Sequence, residues 1–118
     1  MNRGAALESA AERWLAARGL EPIARNLRYR VGELDLVMRE AATVVLVEVR
    51  FRRDDAFGGA VASLDPAKQR RLRAAAAVFL QRHPEYRGMP LRFDLLAGSG
   101  DPAAPRWRWI RNAIEDAP

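Results

Sequence analysis

Gly32-Glu33-Leu34-Asp35-Leu36-Val37-Met38-Arg39 and Val44-Val45-Leu46-Val47-Glu48-Val49-Arg50 are two short apolar runs that carry charges, joined by Glu40-Ala41-Ala42-Thr43. Two such runs flanking a turn-like tetrapeptide predict an antiparallel hairpin. With the turn centred between Ala41 and Ala42, Arg39 faces Val44, Asp35 faces Glu48 and Glu33 faces Arg50. Directly opposed residues point to the same side of a sheet. One face then carries Glu33, Asp35, Val37 and Arg39 against Val44, Leu46, Glu48 and Arg50. The other carries Leu34, Leu36 and Met38 against Val45, Val47 and Val49. A charge inside a Val/Leu strand is costly unless it is paired or bound to metal. Two adjacent carboxylates repel unless a cation lies between them, and their hard oxygens suit Mg²⁺ or Mn²⁺. The competing reading is an exposed cross-strand ion pair of small energetic weight. Val37, Val44 and Leu46 on the acids' own face argue against it, because something must cover them and leave the charges at an open end.

The chain has 118 residues, 49% hydrophobic and 30% charged, which predicts one domain over 1–118 with a core that needs no staples. It contains no Cys, so disulfide and thiolate chemistry are excluded. The apolar stretch Leu7–Leu15 is broken by Glu8, Glu12 and Arg13, so neither a signal peptide nor a membrane span is expected. A cytoplasmic protein with no membrane partner is the resulting expectation. The net charge is +5, and the 20 basic residues comprise 19 Arg and a single Lys, Lys68. A basic balance favours polyanionic partners, and the guanidinium fork suits phosphate. A GC-rich coding bias, to which the abundance of Ala also points, is the blander cause of the same composition.

Residues 4–18 read as a helix with Leu7, Ala11, Trp14, Leu15 and Arg18 on one stripe, and Gly19 as its stop. Glu8 lies beside that stripe. Ile23–Val31 reads as a strand in which Arg28 and Arg30 alternate with Leu27, Tyr29 and Val31. Beyond the hairpin, Phe51–Ser63 reads as a loop containing Arg52-Arg53-Asp54-Asp55 and a Phe57-Gly58-Gly59 hinge. Asp65-Pro66 is an N-cap and first-turn pair opening a helix that runs to about Arg82. Leu72, Ala75, Ala76, Phe79 and Leu80 form its inward stripe, Gln69, Arg70, Arg73 and Arg82 its basic side, and His83-Pro84 its end. Leu91–Ala97 reads as a strand with Arg92 and Asp94 on one face, Gly98–Pro105 as loop, and Arg106–Ile110 as a last strand. Trp107 and Trp109 read as core or interface rather than base-stacking platforms. A helix inserted between strands implies a crossover and a mixed sheet.

At this point the chain resembles the YraN-like family of small bacterial proteins, related to archaeal Holliday junction resolvases and to the PD-(D/E)XK, or restriction-endonuclease-like, nucleases. The resemblance is carried by Gly4-x-x-x-Glu8-x-x-Ala11, Gly19, Arg25-Asn26, Gly32-Glu33-Leu34-Asp35-Leu36, Val47-Glu48-Val49-Arg50, Phe57-Gly58, Lys68 and Arg92-Phe93-Asp94. It covers residues 4–97, and its specificity lies in the ordered set. It implies an α/β, restriction-endonuclease-like fold with a central mixed five-stranded sheet flanked by helices. It also implies Mg²⁺ or Mn²⁺ held by Asp35 and Glu48, with Glu8 as a third acid, Glu33 as an accessory acid and the Val49 carbonyl as a further ligand. The implied chemistry is phosphodiester hydrolysis in DNA, branched or structured DNA included. Related resolvases work as dimers, so a homodimer is a further implication.

The chain departs from the family pattern where Arg50 stands in place of the usual Lys. Arg does not deprotonate in proteins, so it cannot act as a base. It can still present positive charge to a transition state. Arg50 is therefore either a working substitute or the mark of a nucleic-acid-binding module that keeps the fold without cutting. Lys68, at the start of the second long helix, either reaches the acidic pocket or snorkels to solvent. The catalytic set expected is thus Glu8, Glu33, Asp35, Glu48, Arg50 and Lys68. The phosphate-binding set is Arg28, Arg30, Arg52, Arg53, Arg70, Arg71 and Arg73.

Overall fold

Alternating apolar residues around two tight turns build the first half of the molecule, a three-stranded meander. The computed structural model describes residues 3–54 and 57–114. Strand β1 (Glu21–Tyr29) turns at Arg30-Val31 into β2 (Gly32–Glu40), which turns at Ala41-Ala42 into β3 (Thr43–Arg52). Ala41 takes a left-handed φ of 52° to close the second turn. Two helices, α2 (Phe57–Ala62) and α3 (Pro66–Arg82), then carry the chain over the sheet. Strand β4 (Leu91–Asp101) returns parallel to β3, and β5 (Ala104–Ile110) pairs back antiparallel. Helix α1 (Arg3–Ala16) precedes them all. The sheet order is β1-β2-β3-β4-β5. This is an α/β chain of restriction-endonuclease-like architecture.

The two sheet faces bury separate cores. Ala11 and Leu15 of α1 pack with Leu20, Leu36, Met38, Val45, Val47 and Leu96. Leu72, Ala75, Ala76 and Phe79 of α3 pack on the other face with Val37, Val44, Leu46, Phe93 and Leu95. The expected stripes of both helices therefore face inward, except that Arg18 lies past the end of α1 and is exposed. The Asp65 carboxylate caps α3 by accepting the Lys68 N–H at 2.8 Å, and Pro66 supplies the pre-set first turn.

The hairpin register is the expected one, with Arg39 paired to Val44 and Met38 to Val45, but the β2–β3 ladder stops at Leu36–Val47. Glu33 consequently pairs with Arg28 of β1 rather than facing Arg50. Asn26, opposite the release point between the Arg25–Leu36 and Leu27–Leu34 pairs, takes a left-handed φ of 56°. The period-two alternation of β2 is reset at that level. Leu34 packs in the α3 core instead of joining Leu36 and Met38.

Four other expectations are corrected. β1 ends at Tyr29, which leaves Arg30 and Val31 in the turn. Helix α1 ends at Ala16, before a turn closed by Gly19 at φ +98°. Residues Phe57–Ala62 are helical rather than a hinge, while Asp55 lies outside the described residues. β4 continues through Gly98-Ser99-Gly100 to Asp101 instead of ending at Ala97. The reason is packing: a side-chain carbon on Gly98 would lie 2.7 Å from the Trp107 ring, so glycine here admits an aromatic partner across the strands. Both edge strands are protected against further pairing. β1 carries a register shift between Pro22 and Ala24, and β5 carries Pro105 and exposed Arg106 and Arg108. No helix among the described residues is long and apolar enough to cross a membrane.

Gly32 brings the β1–β2 turn against α3, where an added carbon would sit 2.4 Å from the Arg71 carbonyl oxygen. A backbone atom cannot swing aside. Gly32→Ala is expected to lower stability by about 1–3 kcal/mol, read as a lower urea midpoint at unchanged slope. An unchanged midpoint would show that the turn and α3 separate freely.

Candidate functional site

Once β2 leaves β3, the outer end of β3 has lost a neighbour, and its backbone groups need other partners. Asp35, one residue before the last paired position, supplies one: its Oδ2 accepts the Val49 N–H at 2.9 Å. This bond fixes the carboxylate beside β3. Glu48, on the α3 side of β3 and 5% exposed, comes within hydrogen-bonding reach of Asp35. Both expected acids are therefore brought together. Arg50 Nη2 lies 2.7 Å from Glu48 Oε2, and Lys68 Nζ reaches the same oxygen from α3 at 3.3 Å. Lys68 thus points into the acidic pocket rather than out to solvent. The partner of Arg50 is the acid two residues earlier on its own strand, not Glu33 across the sheet.

Glu8 reaches the pocket from α1 on the opposite face of the sheet, and Glu33 lines its rim. The pocket, about 170 Å³, is open between the first turns of α1 and of α3. It adjoins a groove of about 750 Å³ lined by Arg50, Phe51, Arg52, Arg53 and Asp54 of the β3 end and by Gly4 and Leu7 of α1. Arg52 and Arg53 are exposed in this groove. Arg28 is close enough to Glu8 to lower its pKa, Arg30 is exposed in the β1–β2 turn, and Arg70 and Arg71 are exposed on α3. Arg73 is half-buried on that helix. Arg25, part of the resemblance but outside the expected site set, donates to Ser9 Oγ at 2.7 Å, lies 3.9 Å from Glu12 and also lowers the Glu8 pKa. Arg25 shares its phase in β1 with Leu27 and Tyr29, so the alternation gives no sign of this role.

The electrostatics follow from burial and crowding. Burial first and the adjacent Asp35 second push the Glu48 carboxyl up to about 7, against the opposing pull of Arg50 and Lys68. Glu8 is raised in the same way, by burial first and Asp35 second. Glu48 Oε1 is buried without a hydrogen-bond partner, as is Arg50 Nε. A proton shared between Glu48 and Asp35, or a cation set against both, satisfies this arrangement; two bare carboxylates do not. Among the described residues, no three Asp, Glu or His side chains gather closely enough to hold an ion alone. Glu8 lines the pocket without closing such a group. The donors fit Mg²⁺ or Mn²⁺ bound by two carboxylates, with water and phosphate oxygens completing the shell, the usual manner for Mg²⁺.

Asp94 belongs to a separate, structural network. It is 2% exposed and accepts from Arg92 Nε at 2.8 Å, Arg92 Nη2 at 2.9 Å, Trp109 Nε1 at 2.9 Å and the Asn112 N–H at 2.8 Å. Glu40 joins the same network through Arg92 and Arg111, at the end of β2 away from the acidic pocket. His83 caps the end of α3 and stacks on Phe79 with ring centroids 4.5 Å apart, so it serves packing.

The Glu48 shift has a definite sign. The folded chain holds this proton up to about pH 7, whereas the unfolded chain releases it near 4.5. The associated stability is fully present below the unfolded value and is lost as pH rises through about 7. Glu48→Gln removes the titration. Without metal it is expected to melt above the parent protein at pH 8, by the equivalent of about 1–3 kcal/mol, and close to it at pH 4.5. Thermal melts at the two pH values in the presence of chelator test this. A variant that melts lower at pH 8 would mean that the Arg50 and Lys68 pairs outweigh the burial.

The sequence profile of the uncharacterised protein family UPF0102 matches residues 7–97, a span that includes both acids, Arg50 and Lys68. A UPF0102 protein of Xanthomonas euvesicatoria pv. vesicatoria is 51% identical over 112 residues, covering 95% of this chain and 90% of its own. One from Pseudomonas putida is 49% identical over 113 residues, covering 95% and 92%, and one from Alcanivorax borkumensis is 45% identical over 114 residues, covering 96% and 91%. With the family profile spanning both sheet faces and the pocket between them, this chain belongs to the UPF0102 family.

Proposed function

We propose that this protein binds nucleic acid, DNA in the first place, and hydrolyses its phosphodiester bonds with a divalent ion held by Asp35 and Glu48. The observation that carries the reading is the contact of these two carboxylates in a pocket that opens onto an arginine-lined groove. When bound, Mg²⁺ or Mn²⁺ supplies polarisation of a phosphate oxygen and a lowered pKa for the attacking water. The rest falls to the chain. Arg52 and Arg53 grip backbone phosphates in the groove, and Arg28, Arg30, Arg70, Arg71 and Arg73 extend the positive field around it. Asp35, held by the Val49 N–H, keeps its carboxylate aimed at the pocket. Glu8 and Glu33 add negative charge that favours a cation there. Arg50 and Lys68, now on Glu48, provide positive charge for the phosphates at and beside the scissile bond. Branched or structured DNA is the preferred substrate class, and a pair of copies acting together is part of the same proposal.

A second reading rests on one distance. Arg50 Nη2 lies 2.7 Å from Glu48 and neutralises part of the charge a metal would neutralise. A module that binds DNA without cutting would keep such an ion pair permanently.

A cleavage panel of duplex, single-stranded, flapped and four-way-junction DNA with Mg²⁺ and Mn²⁺ separates the two. Cutting by the parent protein and by Arg50→Lys, with none by Asp35→Ala, is the outcome expected of the enzyme. Asp35→Ala should still bind DNA as well as the parent or better, since it removes a negative charge. If parent and Arg50→Lys both bind and neither cuts, the binding module stands instead.

Affinity should fall steeply between low and high salt, and reversing charge at Arg52 and Arg53 should weaken binding to all sequences alike. Salt-independent binding, measured by fluorescence anisotropy, would count against nucleic acid altogether.

A further inference from the structure

The pocket contains two cations on one oxygen, and they differ in where else they reach. Lys68 Nζ and Arg50 Nη2 both contact Glu48 Oε2, at 3.3 and 2.7 Å. Lys68 lines only the 170 Å³ acidic pocket, whereas Arg50 lines both that pocket and the 750 Å³ groove beside Arg52 and Arg53. Lys68 is 20% exposed and Arg50 is 33% exposed. The helix start that carries Lys68 is fixed: its own N–H is held by the Asp65 carboxylate, and Leu72, one turn on, is buried in the core. In a chain with 19 Arg, the single Lys stands where its compact ammonium meets the buried Glu48 carboxylate. An ammonium is a point charge on a flexible stem; a guanidinium is a planar fork suited to phosphate in an open groove.

We propose that the two cations divide the work: Lys68, delivered by α3, faces the reacting phosphate, and Arg50 grips the neighbouring phosphate of the same strand in the groove. This assignment rests on the nuclease reading above. Lys68 is then a catalytic residue supplied from a helix, and the strand position that carries Arg50 has become a binding position. Arg50 Nε, buried without a partner while the side chain lies on Glu48, fits a side chain whose full set of donors is used only with phosphate present. Substrate draws Arg50 outward along the groove and leaves Lys68 in place beside the acids. Helix α3 thereby contributes directly to the site rather than only covering the sheet.

Two readouts test this, one of them independent of cutting. In steady-state cleavage, Lys68→Met and the milder Lys68→Gln should lower kcat by about 10²–10³-fold with oligonucleotide Kd nearly unchanged. Arg50→Met should raise KM and Kd roughly tenfold with a smaller effect on kcat. The reverse pattern overturns the assignment. Because Lys68 is the only lysine, ¹³C-lysine labelling gives one ε-carbon signal. With Mg²⁺ and a phosphorothioate oligonucleotide that resists cleavage, that signal should shift in the parent protein and in Arg50→Met, but not in Asp35→Ala. A lysine signal unmoved while the oligonucleotide demonstrably binds rules the proposal out. If the signal shifts as expected but no substrate is cut, the hydrolytic reading fails and the placement of Lys68 against phosphate survives. If the variants unfold, seen by circular dichroism, the parent protein's lysine signal alone decides.

Discussion

The hydrogen bond from the Val49 N–H to the Asp35 carboxylate sets the remainder of the site. It replaces a rung of the β2–β3 ladder at the place where the two strands part. A charged acceptor forms a shorter and stronger bond than a carbonyl, so the parting costs the sheet little. The same bond turns a strand residue into a fixed carboxylate at the mouth of a cleft. Every other site residue is then placed by its own element relative to this point: Glu48 and Arg50 by the pleat of β3, Glu8 by α1, Lys68 by the first turn of α3. The cleft opens to both faces of the sheet because the parting leaves β3 with a neighbour on one side only.

Around that point the charges are arranged so that no simple pairing satisfies them. Glu48 is shared by Asp35, Arg50 and Lys68, yet one of its oxygens has no partner and its carboxyl is held up to about 7. A domain built only for stability would replace such a cluster with apolar side chains at little cost or with gain. A buried, strongly perturbed carboxylate in a cleft is the usual sign of a functional site. Carboxylates gather on one side of the site and arginines along the groove on the other, and Arg50 lines both.

The opposite end of the sheet shows what a satisfied buried charge looks like. Asp94 accepts four hydrogen bonds, and Glu40 and Arg111 tie the β2–β3 turn to the segment after β5 across 71 positions of sequence. Arg111 also lies 3.8 Å over the Trp109 ring. This closed network anchors β2, β4 and β5 to one another. The open end can therefore carry unsatisfied charge without loosening the strands that position it.

Local patterns made much of this legible. The alternation of Leu34–Arg39 and Val44–Arg50 and the short turn between them determined the hairpin and its register, since both are properties of neighbouring residues. The same holds for the Asp65-Pro66 start of α3, for the inward stripes of α1 and α3, and for the choice of Asp35, Glu48 and the lone Lys68. Other features were decided only by the tertiary structure. A repeating pattern says nothing about where a ladder ends, because that depends on competition between a carboxylate and a carbonyl for one N–H. Hence Glu33 pairs with Arg28, Arg50 turns to Glu48, and Leu34 crosses to the α3 core. The glycine at 98 looks like loop until Trp107 fills the space left by its missing side chain. The approach of Lys68 to Glu48 needs α3 laid across the sheet, a contact between distant segments that no local spacing encodes.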